Sequence, residues 1–259
     1  SLYKTATVVY VNNPYGQGLA RQFQRSFLRH GGFVYTMIPH GEEVASSYVE
    51  PLRNAFGRMF ATKPYRSGQS DVLCVISYPE HAKVIVKEAI EVYKCKHFLF
   101  TDGTKSEELA AAVGPEKLEG MLGTAPGVAV GEAFLKFDAD YTAAFGEFPK
   151  SPFIANAYDA AAVIGLAAYA AKAQGLPLTA PNIRDQLRSV ANPPGTFIGP
   201  GEFELAFSLL ASGKPINYEG ASGTIDFDQN GDVIAPIEVW RFKAGKILTY
   251  RMEYQVAEE

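Results

Sequence analysis

Cysteine is nearly absent. The 259 residues contain two, Cys74 and Cys95, too few for a disulfide scaffold and without the spacing of a metal site. Both are expected to be buried free thiols. Histidine is scarce too: His30, His40, His81 and His97 have no paired metal-ligand spacing, and none adjoins a serine or cysteine in a recognisable nucleophile motif. Charge of one sign does not dominate. With 20% charged residues and a formal net charge of −4, the chain has no basic stripe for nucleic acid. No apolar run reaches the roughly 18 residues that could span a bilayer. A phosphate cradle is missing as well, because Gly16–Gly18 lacks the third glycine of a dinucleotide fingerprint. These absences leave no visible catalytic machinery, no implied cofactor and no metal. The start at Ser1 shows neither the basic end nor the apolar core of a signal peptide.

What is present is βα alternation. Val8, Val9, Tyr10 and Val11 form an apolar, β-branched and aromatic run suited to a parallel strand buried on both faces. A helix beyond Gly16 carries Leu19, Phe23 and Phe27 every four residues and stops at Gly31-Gly32. In open parallel sheets, ligands sit beyond the carboxyl ends of the strands. Asn12-Asn13-Pro14-Tyr15 therefore lies where a ligand would be held, although Tyr15 could equally pack on its own helix.

The unit repeats. Phe33–Ile38 reads as a second strand, followed by a helix from about Ser47 with Tyr48, Leu52, Phe56 and Phe60 at helical spacing and then a polar loop over Lys63–Ser70. Asp71–Ser77 is a third buried strand, and it runs into Tyr78-Pro79-Glu80, where Pro79 suits the first helical position. The next helix carries Ala82, Val86, Ala89, Ile90 and Tyr93. His97–Phe100 is a fourth strand, followed by Thr101-Asp102-Gly103-Thr104. Asp102 alone would more often be a helix cap. Three βα turns that offer Tyr15, Tyr78 and Asp102 to one sheet edge are less easily dismissed.

Beyond Gly131 the periodicity becomes helical to about Ala211, through Phe134, Phe137, Tyr141 and Phe145, the alanine-rich Ile154–Ala173, Ile183–Val190 and Phe203–Leu210. No strand is evident there. The uniformly apolar Ala160–Ala171 is expected to be buried along most of its length. Strands return at Gly223–Phe227, Ile237–Phe242 and Ile247–Tyr250. The acidic run Asp226–Asp232 fits the first half of a calcium loop, but its twelfth position is Ile237 where a bidentate glutamate is required. It reads as a hairpin turn.

The order NNPYGQGLA, SYPE, TDG, NAYDAAAVIGLAAYAAKAQG and GASGTIDFDQNGD resembles, along the whole chain, the type I periplasmic binding proteins, nearest to the branched-chain amino-acid branch. The resemblance implies an α/β fold: a Rossmann-like parallel-sheet lobe plus the helical part of a second lobe. Residues 1–126 would form the C-terminal-type lobe, 127–233 the helical portion of the N-terminal-type lobe, and 234–259 the strands returning to the first lobe. The first part of the N-terminal lobe has no counterpart in the chain. The resemblance further implies a small-molecule ligand, an amino acid or analogue, closed between two lobes, with an ABC-transporter permease as partner and a periplasmic or extracellular location. By the same resemblance, Tyr15 and Tyr78 line the ligand's side chain, Asp102 pairs with its α-ammonium, and Phe153 forms an aromatic wall. The serine and threonine that would hold the α-carboxylate fall in the part without a counterpart. The same fold also serves as the sensing part of receptors and of amide-responsive regulators.

Overall fold

The computed structural model describes residues 3–56, 70–127, 130–149 and 152–254. Phe60 and residues 63–69 of the expected polar loop lie outside them. The chain divides into two units, one of residues 1–125 and 238–251, the other of 126–237 and 252–259.

The first unit is a seven-stranded sheet. Its strands are β1 (Thr5–Val11), β2 (Phe33–His40), β3 (Val72–Ile76), β4 (Phe98–Phe100), β5 (Leu122–Pro126), β9 (Ile237–Lys243) and β10 (Lys246–Glu253). They lie in the order β10-β9-β5-β4-β3-β1-β2. Pairing from β2 through β1, β3 and β4 to β5 is parallel throughout, the consequence of strands that alternate with crossover helices. Those helices are α1 (Pro14–Arg29), α2 (Val49–Phe56), α3 (Pro79–Glu91), α4 (Glu107–Val113) and the short α5 (Pro115–Leu118). Every residue of β3 is buried, as its unbroken apolar run requires. Pro39 is tolerated in β2 because β2 is an edge strand. The largest core side chains here are Trp240, Phe98 and Phe242. Gly123 leaves room for Trp240, whose ring would lie 2.2 Å from an added Cβ.

The second unit holds α6 (Glu132–Phe145), α7 (Ile154–Ala173), α8 (Ala180–Ala191), β6 (Thr196–Ile198), α9 (Phe203–Ala211), β7 (Ile216–Gly220) and β8 (Gly223–Thr224). Its sheet has the order β6-β7-β8. Here the structure corrects the expectation of an all-helical stretch, for β6 interrupts it. Three residues are too few to display an alternation, and Phe197 is exposed. Strands β5 and β7 also lacked a sequence signal. The strand expected over Gly223–Phe227 is only two residues long, followed by a bridge from Phe227 to Val233.

Among the described residues, α7 is the one helix long and apolar enough to cross a membrane by length and composition. It packs against α8, α9 and β7 instead. Its burial is one-sided, which corrects the expectation of a helix buried along most of its length: Ala162, Val163, Leu166, Ala167, Ala170 and Ala171 are buried, whereas Ala160, Ala161, Ile164 and Gly165 are exposed. Its one charged inward residue is Asp159. That carboxylate accepts from Tyr218 Oη at 2.8 Å, from the main-chain N–H groups of Ala221 (2.8 Å) and Ser222 (2.7 Å), and from Ser222 Oγ at 2.6 Å. Four donors replace the water that burial removed, and they tie α7 to the end of β7.

The hairpin reading of the acidic run holds. Asp228 and Asp232 pair through the main chain at 2.8 Å, while the Asp228 carboxylate accepts the N–H groups of Asn230 at 2.8 Å and Asp232 at 2.9 Å.

Candidate functional site

Three βα turns of the first unit bring side chains together beyond the carboxyl ends of β1, β3 and β4. The first turn is tighter than the sequence suggested. Helix α1 begins at Pro14, not beyond Gly16, because Asn13 caps it: Asn13 Oδ1 accepts the Gly16 N–H at 3.0 Å and Pro14 occupies the first helical position. Gly16 is buried against β1, and a Cβ there would sit 2.0 Å from the Val11 carbonyl oxygen. Tyr15 thus lies in the first turn and faces the neighbouring β4 turn rather than its own helix.

Tyr15 Oη donates to Asp102 Oδ1 at 2.9 Å. It lies 3.1 Å from Thr101 Oγ1 and accepts the Gly103 N–H at 3.2 Å. With its single proton committed to Asp102, the hydroxyl takes its bond to Thr101 as an acceptor. Burial lifts the Tyr15 phenol well above its ordinary value of 10; the donated Thr101 bond opposes that rise and the Asp102 charge adds to it. The phenol therefore stays a donor. Asp102 opens a 3-10 turn over Asp102–Thr104, fixed by Thr101 N–H to Thr104 Oγ1 (3.1 Å) and Thr104 Oγ1 to the Thr101 carbonyl (2.8 Å). Gly103 is demanded by space: a Cβ would stand 2.4 Å from the Ser77 carbonyl oxygen and 2.8 Å from Tyr15 Oη.

Tyr78 precedes α3 and is 39% exposed. Its ring stacks on Tyr15 with centroids 5.6 Å apart and planes 17° from parallel. Asn13 Nδ2 donates to Tyr78 Oη at 3.2 Å, so one asparagine both caps α1 and holds the second tyrosine. The result is a half-open wall of two phenol rings ending in a carboxylate. Such a surface offers flat apolar area to a ligand's body and one anionic acceptor to a cationic or N–H group.

Phe153, the fourth residue singled out from sequence, belongs to the second unit. It precedes α7 with φ of 68° and ψ of 11°, a left-handed backbone, and is 37% exposed. An aromatic residue pays about 1 kcal/mol or more for that conformation.

Sequence reasoning placed Asn13 in the ligand-facing turn but missed its link to Tyr78, and it missed the roles of Thr101 and Gly103. Asn-Pro before a helix is a capping signal, but nothing local says that the same amide reaches Tyr78. It also missed a group of buried polar side chains behind Tyr78, made of His40, Ser77, His81 and Tyr48. Cys74 and Cys95 are free and buried, and burial pushes both thiols up to about 12.

Residues 3–245 match the family described as the receptor family ligand binding region, and the chain belongs to it. Its fold is that of the type I periplasmic binding proteins. The leucine-binding protein LivK of Thermotoga maritima superposes with a TM-score of 0.69 at 22% identity, over 97% of this chain and 61% of that one. A solute-binding protein of R. palustris, solved in complex with benzoate, gives 0.66 at 14% identity, over 99% and 61%. The substrate-binding protein BasB of a chemotactic signal transduction system in Halobacterium salinarum is 41% identical over 78 residues, which are 30% of this chain and 18% of BasB. The chain thus spans about three-fifths of the length of these solved structures.

Proposed function

We propose that this chain is the solute-binding part of an ABC importer, which binds an amino acid or a closely related zwitterion without transforming it. The observation that carries this reading is the convergence of Tyr15, Tyr78 and Asp102 from the ends of three neighbouring strands of the sheet, β1, β3 and β4, with Tyr15 joined to Asp102 at 2.9 Å and stacked on Tyr78. Asp102 is assigned to the ligand's ammonium, and Tyr15 and Tyr78 to its side chain. Phe153 is assigned as an aromatic contact, supported by its resemblance to the family position and by a strained backbone of the kind found at binding sites. The permease partner and the periplasmic or extracellular location follow from this reading. Support comes from the named ligands of fold relatives, leucine for one and benzoate for another. The two ligands share a carboxylate and an apolar body, and differ in the ammonium that Asp102 would recognise.

A second reading, ligand sensing for a signalling pathway, is favoured by the chemotactic relative and by the receptor description of the family. It uses the same site and differs in the partner.

Calorimetry of the chain with L-leucine, L-isoleucine and benzoate tests the ligand class. Preference for the amino acids supports the reading, and binding of benzoate alone contradicts it.

A further inference from the structure

We propose that His40 and His81 form a proton-sensitive latch, which positions Tyr78 and the segment 41–48 for ligand binding while both imidazoles are neutral and lets go when either takes a proton. The proposal rests on the reading of Tyr78 as ligand-facing. The two rings are 4% and 3% exposed, with centroids 4.8 Å apart. His40 Nδ1 faces the Gly41 carbonyl at 2.7 Å, so that nitrogen carries the hydrogen. His40 Nε2 is then the acceptor of the Ser77 hydroxyl at 2.9 Å. The Glu42 carbonyl lies towards the His81 ring, while His81 Nδ1 lies 2.6 Å from the Tyr48 hydroxyl, which in turn accepts the Ala45 N–H at 3.0 Å. The His81 ring lies 6.3 Å from that of Tyr78.

His40 therefore spends one nitrogen as donor to the Gly41 carbonyl and the other as acceptor from the Ser77 hydroxyl, and His81 meets the Tyr48 hydroxyl through Nδ1. A second proton on His40 converts that acceptor into a donor and strands the hydroxyl's hydrogen. It also places a cation in a dry pocket beside another imidazole.

Among the described residues, the groups that face the pair come from four elements. Segment 41–48 contributes the Glu42 carbonyl and Tyr48, whose ring meets His40 edge-on at 5.3 Å. The end of β3 contributes Ser77, and β2 contributes His40 itself. From α3, Glu80 draws a proton towards His81, but it is largely exposed and held by Lys83 at 2.7 Å; Glu88 is committed to the Tyr48 N–H at 2.6 Å. Burial outweighs the Glu80 attraction, so both histidines titrate below their ordinary value of 6.5, and the charge of His81 lowers His40 further. The sign follows: the folded state binds fewer protons than the unfolded one, so the latch is full above 6.5 and weakens as pH falls below it.

Hydrogen exchange on the 259-residue chain, normalised for chemical exchange, decides this at about pH 7.5 and about pH 5. The Ala45 and Tyr48 amides should lose about tenfold of their protection for each pH unit below the folded histidine values, while the β3 amides keep theirs. A chain with His40→Gln and His81→Gln, which keeps a donor and an acceptor but no titration, should hold its protection at both pH values. His81→Ala should lack it at both. Equal protection of Ala45 and Tyr48 in the parent at the two pH values overturns the latch, as does an undiminished pH response in the glutamine variant. If the variants fail to fold, the parent profile decides alone. L-leucine titrations run alongside should weaken in step with exchange. Failure of leucine to bind at either pH counts against the amino-acid reading, and the exchange data still decide the latch.

Discussion

Replacing Tyr15 by phenylalanine isolates the hydroxyl on which the three turns converge. The ring, its stack on Tyr78 at 5.6 Å and its place in the first turn of α1 are all retained. What is lost is the donor to Asp102, the acceptor of the Gly103 N–H and the partner of Thr101. A hydrogen bond to a charged group contributes about 1.5–3 kcal/mol, and a buried N–H left without an acceptor costs about 1 kcal/mol or more. The site is half-open, so water recovers part of this at Asp102. The expected loss of unfolding free energy is about 2–3 kcal/mol. Equilibrium urea unfolding measures it, with the slope unchanged from the parent. L-leucine should bind more weakly to the variant, because Asp102 loses the contact that aims it. A stability loss under about 0.5 kcal/mol would mean that the hydroxyl is solvated rather than engaged, and the geometry of the site would then be wrong.

Other perturbations read other parts of the fold. Asp159→Asn turns a carboxylate with four donors into an amide that must face some of them with its own N–H groups; chemical denaturation should show a loss of about 3 kcal/mol. Phe153→Gly relieves about 1 kcal/mol of left-handed strain but gives up the partly buried ring, so stability should change little, while calorimetry shows weaker ligand binding. Unchanged binding would remove Phe153 from the site. Gly103→Ala has no room and should cost about 1–3 kcal/mol, seen as a lower melting temperature with a looser Tyr15 environment in near-ultraviolet dichroism. Cys74 and Cys95, with thiols near 12, present roughly one thiolate in ten thousand at pH 8. Thiol reagent should therefore find two groups only after denaturation.

The strands β1 to β4 were legible because each is a short, dense apolar run between helical patterns, a signal carried by neighbouring residues. So were the positions of Tyr15, Tyr78 and Asp102 at strand ends, since topology alone sends the residues after parallel strands to one edge. The missing detail was long-range. Asn13 and Tyr78 are 65 positions apart, and Tyr15 and Gly103 are 88; no local pattern reports that their atoms meet. The start of α1 was placed too late because Gly16 suggested a break, whereas its role is to let the helix press on Val11. Strand β6 was hidden by its length, and α7 by composition: a helix of alanines looks buried on every side although one face is exposed. The two histidines carried no motif, since what matters about them is enclosure, which only the fold supplies.

Recognition of a ligand ammonium by Asp102 is measured by a thermodynamic cycle. L-leucine and its des-amino analogue 4-methylpentanoate are titrated calorimetrically into the parent and into Asp102→Ala. The substitution should weaken leucine binding by about 2–5 kcal/mol and leave the analogue nearly unaffected or slightly tighter, since a carboxylate with no cation to meet is removed. Equal losses for both ligands, or none for leucine, would make Asp102 a structural partner of Tyr15 and contradict that recognition.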